Sequence, residues 1–408
     1  MNNKRSVISL FTGVGGLDYG FEAAGFETRV AIEMDAVCCL TLRANRDWPV
    51  IEADLLETST EAILKAAKLT VGDVDMLIGG PPCQPFSKSG WWKSGDSLRL
   101  SDPRAGTLSG FLRLVKEARP RAFLLENVEG LAFAGKDEGL KLLLSALDEI
   151  NAVEQTRYRP TVVVLNAADY GVPQTRTRVF VIAARDGRMF RSPMPTHHQP
   201  GELALNGSEP WRTAWDAIGG LPQPDEPSLD LTGKWADLLP SIPEGQNYLW
   251  HTERLGGVPL FGWRRRYWSF LLKLAKDRPS WTVQAQPGPA TGPFHWNNRR
   301  LSALELARLQ TFPNDIEIQG ARSDVQRQIG NAVPSLLAEV LAKEIRRQYF
   351  GDVLPIGRPR LLPARIGPIP APARVSKVPK KYMALVGSHE AHPGTGRGNL
   401  YADEAAIA

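Results

Sequence analysis

Cysteine is scarce: three residues in 408, two of them adjacent at Cys38 and Cys39, with no CxxC pair. That excludes a disulfide scaffold and a cysteine-built zinc site, and it points to a reducing compartment, the cytoplasm. No metal is expected. No apolar run approaches the ~20 residues needed to cross a bilayer, so a soluble chain without a membrane partner is expected. The N-terminus MNNKRSVISLF carries a basic pair, but its short apolar run leads into a glycine-rich turn and reads as a first strand, not a secretory signal. No internal repeat is present. The dinucleotide fingerprint GxGxxG is also missing, because Gly13 and Gly15 are followed by Asp18 where a third glycine belongs; a nicotinamide oxidoreductase is weakened accordingly. Acidic residues are absent from 353–383, which is proline-rich and holds seven Lys or Arg. A flexible basic tail over 351–408 is the expectation.

What is there fits a globular protein: 43% hydrophobic and 23% charged residues, with a length that allows two units or one large domain carrying an insertion. A net charge of +5 is a mild bias towards polyanionic partners.

The first half alternates short apolar runs with helical patterns, the signature of an α/β fold with a mostly parallel sheet. Val7–Phe11 ends in Thr12–Gly16 (TGVGG) and a helix follows. Glycines there let a ligand approach the backbone, and the helix N-terminus favours a negative group. A second run ends at Glu33 and a third at Asp54, so two carboxylates sit at strand ends beside the glycine turn, where they suit an adenosine pocket. The next run delivers Gly79–Gly90 (GGPPCQPFSKSG). Prolines forbid helix and sheet ladder there, so Cys83 is held on a rigid bend at the end of a buried strand. A free cysteine is more often a small core residue, and the bend alone does not decide between the two roles.

Beyond Cys83, the polar stretch 84–101 includes Gln84, Ser87, Trp91 and Trp92 and reads as a mobile lid suited to stacking and phosphate contact. The strand Ala122–Leu125 delivers Glu126, whose emergence from apolar surroundings favours a raised pKa. Arg176 and Arg178 alternate with threonines on one face, and two such cations need an anion or a set of acceptors. From about 191 to 297 the texture changes to prolines, glycines and scattered tryptophans, a second unit. Its cluster Arg264, Arg265 and Arg266 is flanked by aromatics, which fits a nucleic-acid groove as well as a solvated basic face. Helical order returns from 298 to about 350.

The ordered set FTGVGG, Glu33, Asp54, GPPCQPFS, Glu126–Val128 (ENV), Gln174–Arg178 (QTRTR), Arg308–Gln310 (RLQ) and GNAVP resembles the DNA cytosine methyltransferases that modify carbon 5 of the base. The likeness covers roughly 6–190 and 298–350; Thr12 stands where serine or alanine is more usual.

The resemblance implies a Rossmann-like S-adenosylmethionine-dependent methyltransferase domain over 1–190 and 298–350. It makes 191–297 a smaller, irregular target-recognition domain. It implies Cys83 as nucleophile at carbon 6 of a flipped-out cytosine in a specific double-stranded DNA sequence. Glu126 would serve ring nitrogen 3, and Arg178 with Arg176 would hold the base carbonyl. The base that removes the carbon 5 proton stays unassigned. For the cofactor it implies Phe11 on the adenine, Gly13, Val14 and Gly16 at the methionine end, Glu33 on the ribose and Asp54 at the adenine amino group. Pro82, Leu108, Asn331 and Val333 would line the same site. It further implies a monomer paired in function, not physically, with a cognate restriction endonuclease. A transfer-RNA cytosine methyltransferase and a non-catalytic DNA-binding relative are the alternatives.

Overall fold

A computed structural model of the chain describes residues 4–82, 106–128, 138–204, 207–262, 266–355 and 357–387. It divides into two compact units. The first comprises Met1–Leu221, Arg278–Gln286 and Ala303–Gly367; the second comprises Pro222–Asp277, Pro287–Ser302 and Pro368–Ala408.

In the first unit, β1 (Arg5–Leu10), β2 (Phe26–Glu33), β3 (Val50–Glu52), β4 (Met76–Gly79), β5 (Ala122–Asn127), β6 (Thr161–Asn166) and β8 (Thr177–Ala184) form one sheet. Its order is β3-β2-β1-β4-β5-β8-β6. Pairing is parallel from β3 to β5, and β8 runs antiparallel to both β5 and β6. These strands are apolar at successive positions because both faces are covered, as expected of parallel sheets. Val7, Met76, Ile78 and Leu124 bury towards one face, while Ile8, Leu77, Phe123 and Leu125 bury towards the other.

The second of those faces is covered by α3 (Thr60–Ala67), α4 (Gly106–Ala118) and α5 (Glu138–Glu154). The first is covered by α1 (Gly16–Ala23), packed with a helix from the far end of the chain. α2 (Ala36–Asn45) follows β2, and Asp35 caps it by accepting from the Val37 and Cys38 amides. Cys38 and Cys39 are buried.

The short strand β7 (Gln174–Thr175) precedes β8, and β9 (His197–His198) pairs with β10 (Glu209–Pro210) ahead of α6 (Ala214–Ile218). After the second unit, β11 (Ser280–Trp281) returns to pair with β7. α7 (Ala303–Leu309), α8 (Arg322–Asn331) and α9 (Ser335–Phe350) complete the unit. Leu336, Leu337 and Leu341 of α9 pack against Leu17 and Phe21 of α1, so the chain's end closes the layer its beginning opens.

Two boundaries differ from the expectation. The first unit runs on to Leu221 instead of ending at 190, because Tyr170 Oη donates to the Pro193 carbonyl at 3.0 Å and Trp211 Nε1 to Asp169 at 3.0 Å. The tail is fastened as far as Leu385. The buried Glu339 carboxylate of α9 accepts from the backbone amides of Arg360 and Leu361 at 2.7 and 2.9 Å.

The second unit has little regular structure. Short 3-10 turns at Pro227–Leu229, Ala236–Ser241, Tyr248–His251 and Lys380–Leu385 surround a core of Leu238, Leu239, Tyr248, Phe261, Phe270 and Phe294. Tyr382, from the expected tail, stacks on Trp235 with ring centroids 5.8 Å apart, and the Ala373 amide donates to Glu244 at 3.0 Å. Among the described residues no helix is long and apolar enough to cross a membrane.

Candidate active site

Open parallel sheets bind ligands where the strand order reverses, outside the strands' C-terminal ends. Here that point lies between β1 and β4, and the register shows what it gathers. Leu10 of β1 is opposite Ile32 of β2 and Gly79 of β4, and Gly79 is opposite Leu125 of β5. One residue further along each strand come Phe11, Glu33, Gly80 and Glu126. Four sequence motifs thus reach one sheet edge through backbone pairing alone.

At the β1 end the chain turns sharply, with φ of 52° at Phe11, 56° at Gly13 and 85° at Gly15. Gly13 needs its missing side chain for that conformation, and the space beside it is open: an added Cβ would meet nothing within 4 Å. Gly16 abuts the Val333 carbonyl, so the glycine turn and the GNAVP turn lie against each other.

The half-buried Glu33 carboxylate accepts from the Gly13 amide at 2.7 Å and from the Asp35 amide at 2.8 Å, and burial raises its pKa despite these bonds. Its first task is therefore to hold the turn, with lone pairs left for a ligand. Asp54 accepts from the Leu56 amide at 2.9 Å. Leu108 and Val333 are buried, Asn331 is exposed at the end of α8, and Val14 is buried beneath the turn. Pro82 is exposed and ends its stretch of described chain.

At the β5 end Arg178 Nε meets Glu126 Oε1 at 3.0 Å, both side chains about one-seventh exposed or less. Desolvation raises the Glu126 pKa, opposed by the charges of Arg178 and Arg176. A Cβ on Gly80 would lie 2.8 Å from Glu126 Oε2, so the strand leading to Cys83 passes directly over this carboxyl. Arg176 is fully buried and has other partners. Its guanidinium donates to the Val283 and Gly330 carbonyls at 3.2 and 2.8 Å, and its Nε has no partner among the described residues. The two arginines differ because Arg176 falls in the break between β7 and β8, whereas Arg178 is within β8.

Gln174 and Gln310 extend the same lattice. Gln174 Nε2 donates to Gln310 Oε1 at 3.0 Å, Gln174 Oε1 accepts from the Val283 amide at 2.9 Å, and Gln310 Nε2 donates to the Ile329 carbonyl at 2.7 Å. The QTRTR and RLQ motifs thereby tie the returning segments onto the sheet.

Asp18 was not singled out by the sequence, although a carboxylate in the first helical turn after a glycine turn was a usable signal. It is fully buried, accepts from Ser9 Oγ at 3.0 Å and Thr28 Oγ1 at 3.2 Å, and burial pushes its pKa up to about 7.

Cys83, Gln84, Ser87, Trp91, Trp92, Arg264 and Arg265 lie outside the described residues. Arg266, in the second unit, is exposed, with its guanidinium 5.5 Å from the Phe270 ring centroid and 5.8 Å from that of Trp235.

The family model described as C-5 cytosine-specific DNA methylase matches residues 5–347. The Type II methyltransferase M.SacI of Streptomyces achromogenes is 41% identical over 374 residues, covering 85% of this chain and 94% of that protein. M.NgoFVII of Neisseria gonorrhoeae is 35% identical, covering 84% and 87%. Among solved structures, a DNA modification methyltransferase encoded within an E. coli prophage superposes with a TM-score of 0.57 at 25% identity, over 85% of this chain and 99% of that one.

Proposed function

This chain belongs to the C-5 cytosine-specific DNA methylase family, and we propose that it methylates cytosine by covalent catalysis from Cys83, with S-adenosylmethionine as donor and one specific duplex DNA sequence as substrate. The observation that carries the reading is the Glu126–Arg178 pair at 3.0 Å, overlain by Gly80, three residues ahead of Cys83.

Carbon 5 of cytosine is a weak nucleophile. Addition of the Cys83 thiolate to carbon 6 breaks the 5,6 double bond and moves its electron pair onto the ring, which makes carbon 5 nucleophilic. Glu126, its pKa raised by burial, presents a proton to ring nitrogen 3 as negative charge grows there. Arg178 holds Glu126 in place and offers its remaining N–H groups to the base carbonyl. The Arg178 guanidinium beside this carboxyl places a positive charge at the end of the strand that leads to Cys83, which favours an approaching thiolate. After methylation the carbon 5 proton leaves, the double bond re-forms and the sulfur departs. Arg176 acts at one remove, by holding the Gly330 carbonyl and with it the turn that carries Asn331.

The open space beside Gly13 and the carboxylate of Glu33 suit the donor, which supplies an electrophilic methyl group on a sulfonium. Phe11 would face the adenine, Gly13, Val14 and Gly16 the methionine end, Glu33 the ribose and Asp54 the adenine amino group. Pro82, Leu108, Asn331 and Val333 would complete the wall. The target carbon is inaccessible within a duplex, so the base leaves the stack before reaction. The second unit, with Arg264–Arg266, would read the surrounding sequence.

The names of its relatives support an enzyme of a restriction-modification pair, and the reading extends to a monomer in the cytoplasm. Its test is transfer of labelled methyl to duplex DNA and to transfer RNA, together with trapping on a duplex containing 5-fluorocytosine. Wild type should label the duplex and form a denaturation-resistant adduct, and Cys83→Ala should do neither. Equal labelling by both proteins, or labelling confined to transfer RNA, overturns it.

A further inference from the structure

A cleft of about 600 Å³ lies in the first unit, between the C-terminal half of α1, the segment after α7 and the chain near 360–366. Its size is that of small-ligand sites, and it contains none of the residues assigned to methyl transfer. Three acidic and three basic side chains line it, which looks balanced until their partners are followed. Glu22 and Asp315 both pair with Arg46, at 2.8 and 3.1 Å. Asp216 caps α6 through the Thr213 amide at 2.9 Å and pairs with Arg365 at 3.2 Å.

Arg308 and Arg360 are left over. Neither guanidinium has a hydrogen-bond or ion-pair partner among the described residues, and Arg308 is half-buried, so that desolvation works against its charge. Leaving a desolvated cation unpaired is costly unless an anion arrives. On the same wall Tyr19 is 1% exposed and its hydroxyl has no partner among the described residues, and its ring meets Phe312 edge to face with centroids 5.8 Å apart.

The geometry points to a second ligand site, in which Arg308 and Arg360 bind a phosphate group whose organic body rests on the aromatic and apolar wall around Tyr19 and Phe312. A carboxylate would balance one of the two cations; a phosphate dianion balances both and matches the fork of each guanidinium. The phosphate can come from a free nucleotide or from a polynucleotide backbone. The site is independent of the methyl-transfer reading, since binding alone reports it.

The test is titration calorimetry on the full chain at constant ionic strength with inorganic phosphate, thymidine 5′-monophosphate, thymidine and oligo-dT. These probes carry neither cytosine nor adenine. Wild type should bind phosphate saturably with Kd on the order of 1 mM, and thymidine not at all. Arg308→Gln and Arg360→Gln should each weaken phosphate tenfold or more, and Arg308→Lys should restore part of the loss. Arg360 is exposed, so its variant keeps the fold. Tighter binding of the monophosphate than of phosphate identifies a nucleotide site. Preference for oligo-dT, with a salt slope reduced by about one in Arg308→Gln, identifies a backbone contact. Absence of saturable binding by all three phosphate probes, or wild-type affinity in both glutamine variants, overturns the proposal.

Discussion

In the first unit the positions that matter are fixed by strand register: Leu10, Ile32, Gly79 and Leu125 are paired in one row, and the chemistry follows one residue later. The second unit has no such row. Its 3-10 turns are held by rings, with Trp235, Phe261, Phe270 and Tyr248 at centroid distances of 5.3 to 5.9 Å, and by buried polar ties such as His251 with Ser241 at 2.8 Å. A sheet edge tolerates little change, because slipping one strand by a residue turns the group it carries to the other face and out of line with its neighbours. A ring-packed core constrains volume but not register, and its surface loops are free to vary. The chemistry proposed for the first scaffold and the sequence reading proposed for the second form a division that the two architectures make natural.

The largest expected effect lies at the sheet edge. Glu126→Gln keeps the shape and removes the proton, so kcat should fall by about 10²–10⁴ with cofactor affinity little changed, while thermal stability drops because the buried Arg178 loses its counter-charge. A loss below tenfold in single-turnover methyl transfer would contradict the role given to Glu126. In the second unit the largest effect should be on stability. Phe270 is 9% exposed and touches three other rings, so Phe270→Ala should cost about 3–5 kcal/mol. Urea unfolding should then show an early transition while S-adenosylmethionine binding survives; one transition shifted as a whole would mean that the units do not unfold separately.

Asp18 offers a smaller, pH-dependent test within the first unit. Its folded pKa of about 7 lies above the unfolded value near 4, so the unfolded chain releases the proton first. Its contribution is complete below about pH 4 and is lost as pH rises to about 7, by at most about 4 kcal/mol. His197 pulls the other way, since burial lowers its pKa to about 4 and its protonation destabilises the fold as pH falls. The difference between wild type and Asp18→Asn isolates the carboxyl: the variant should lose relative stability at pH 4.5 and gain it at pH 7.5. Parallel denaturation midpoints at both pH values would remove Asp18 from the account.

Much of the first unit was legible because a doubly covered sheet writes itself as apolar runs ended by glycine or a carboxylate. Val7–Phe11 differs from the observed Arg5–Leu10 only at its ends. Arg176 was legible as a cation but not in its task, since its acceptors Val283 and Gly330 lie 107 and 154 residues away. The tail was misread for a similar reason. Its composition is proline-rich and basic with no periodic apolar pattern, yet Tyr382 is buried on Trp235 and the backbone amides of Arg360, Leu361 and Ala373 dock on Glu339 and Glu244, carboxylates that belong to other segments. The boundary at Leu221 escaped notice because β9 and β10 are two residues each, too short for any periodicity.

The smallest effect gives the closest comparison, because it lies in the same loop as Phe270. Tyr267 is 86% exposed and Trp268 58%, beside the exposed Arg266. Large aromatic surface left in water beside cations contributes nothing to this unit's packing, but base stacking can use it. Tyr267→Ala and Trp268→Ala should each leave the urea midpoint within about 0.5 kcal/mol of wild type and weaken duplex binding by about 1 kcal/mol, roughly fivefold. Phe270→Ala should do the reverse in order of cause, losing affinity only as the unit loses its fold. If the exposed pair proves neutral for binding and costly for stability, the loop belongs to the core, and the separation drawn between the ring-packed scaffold and its reading surface fails at the place where it should be clearest.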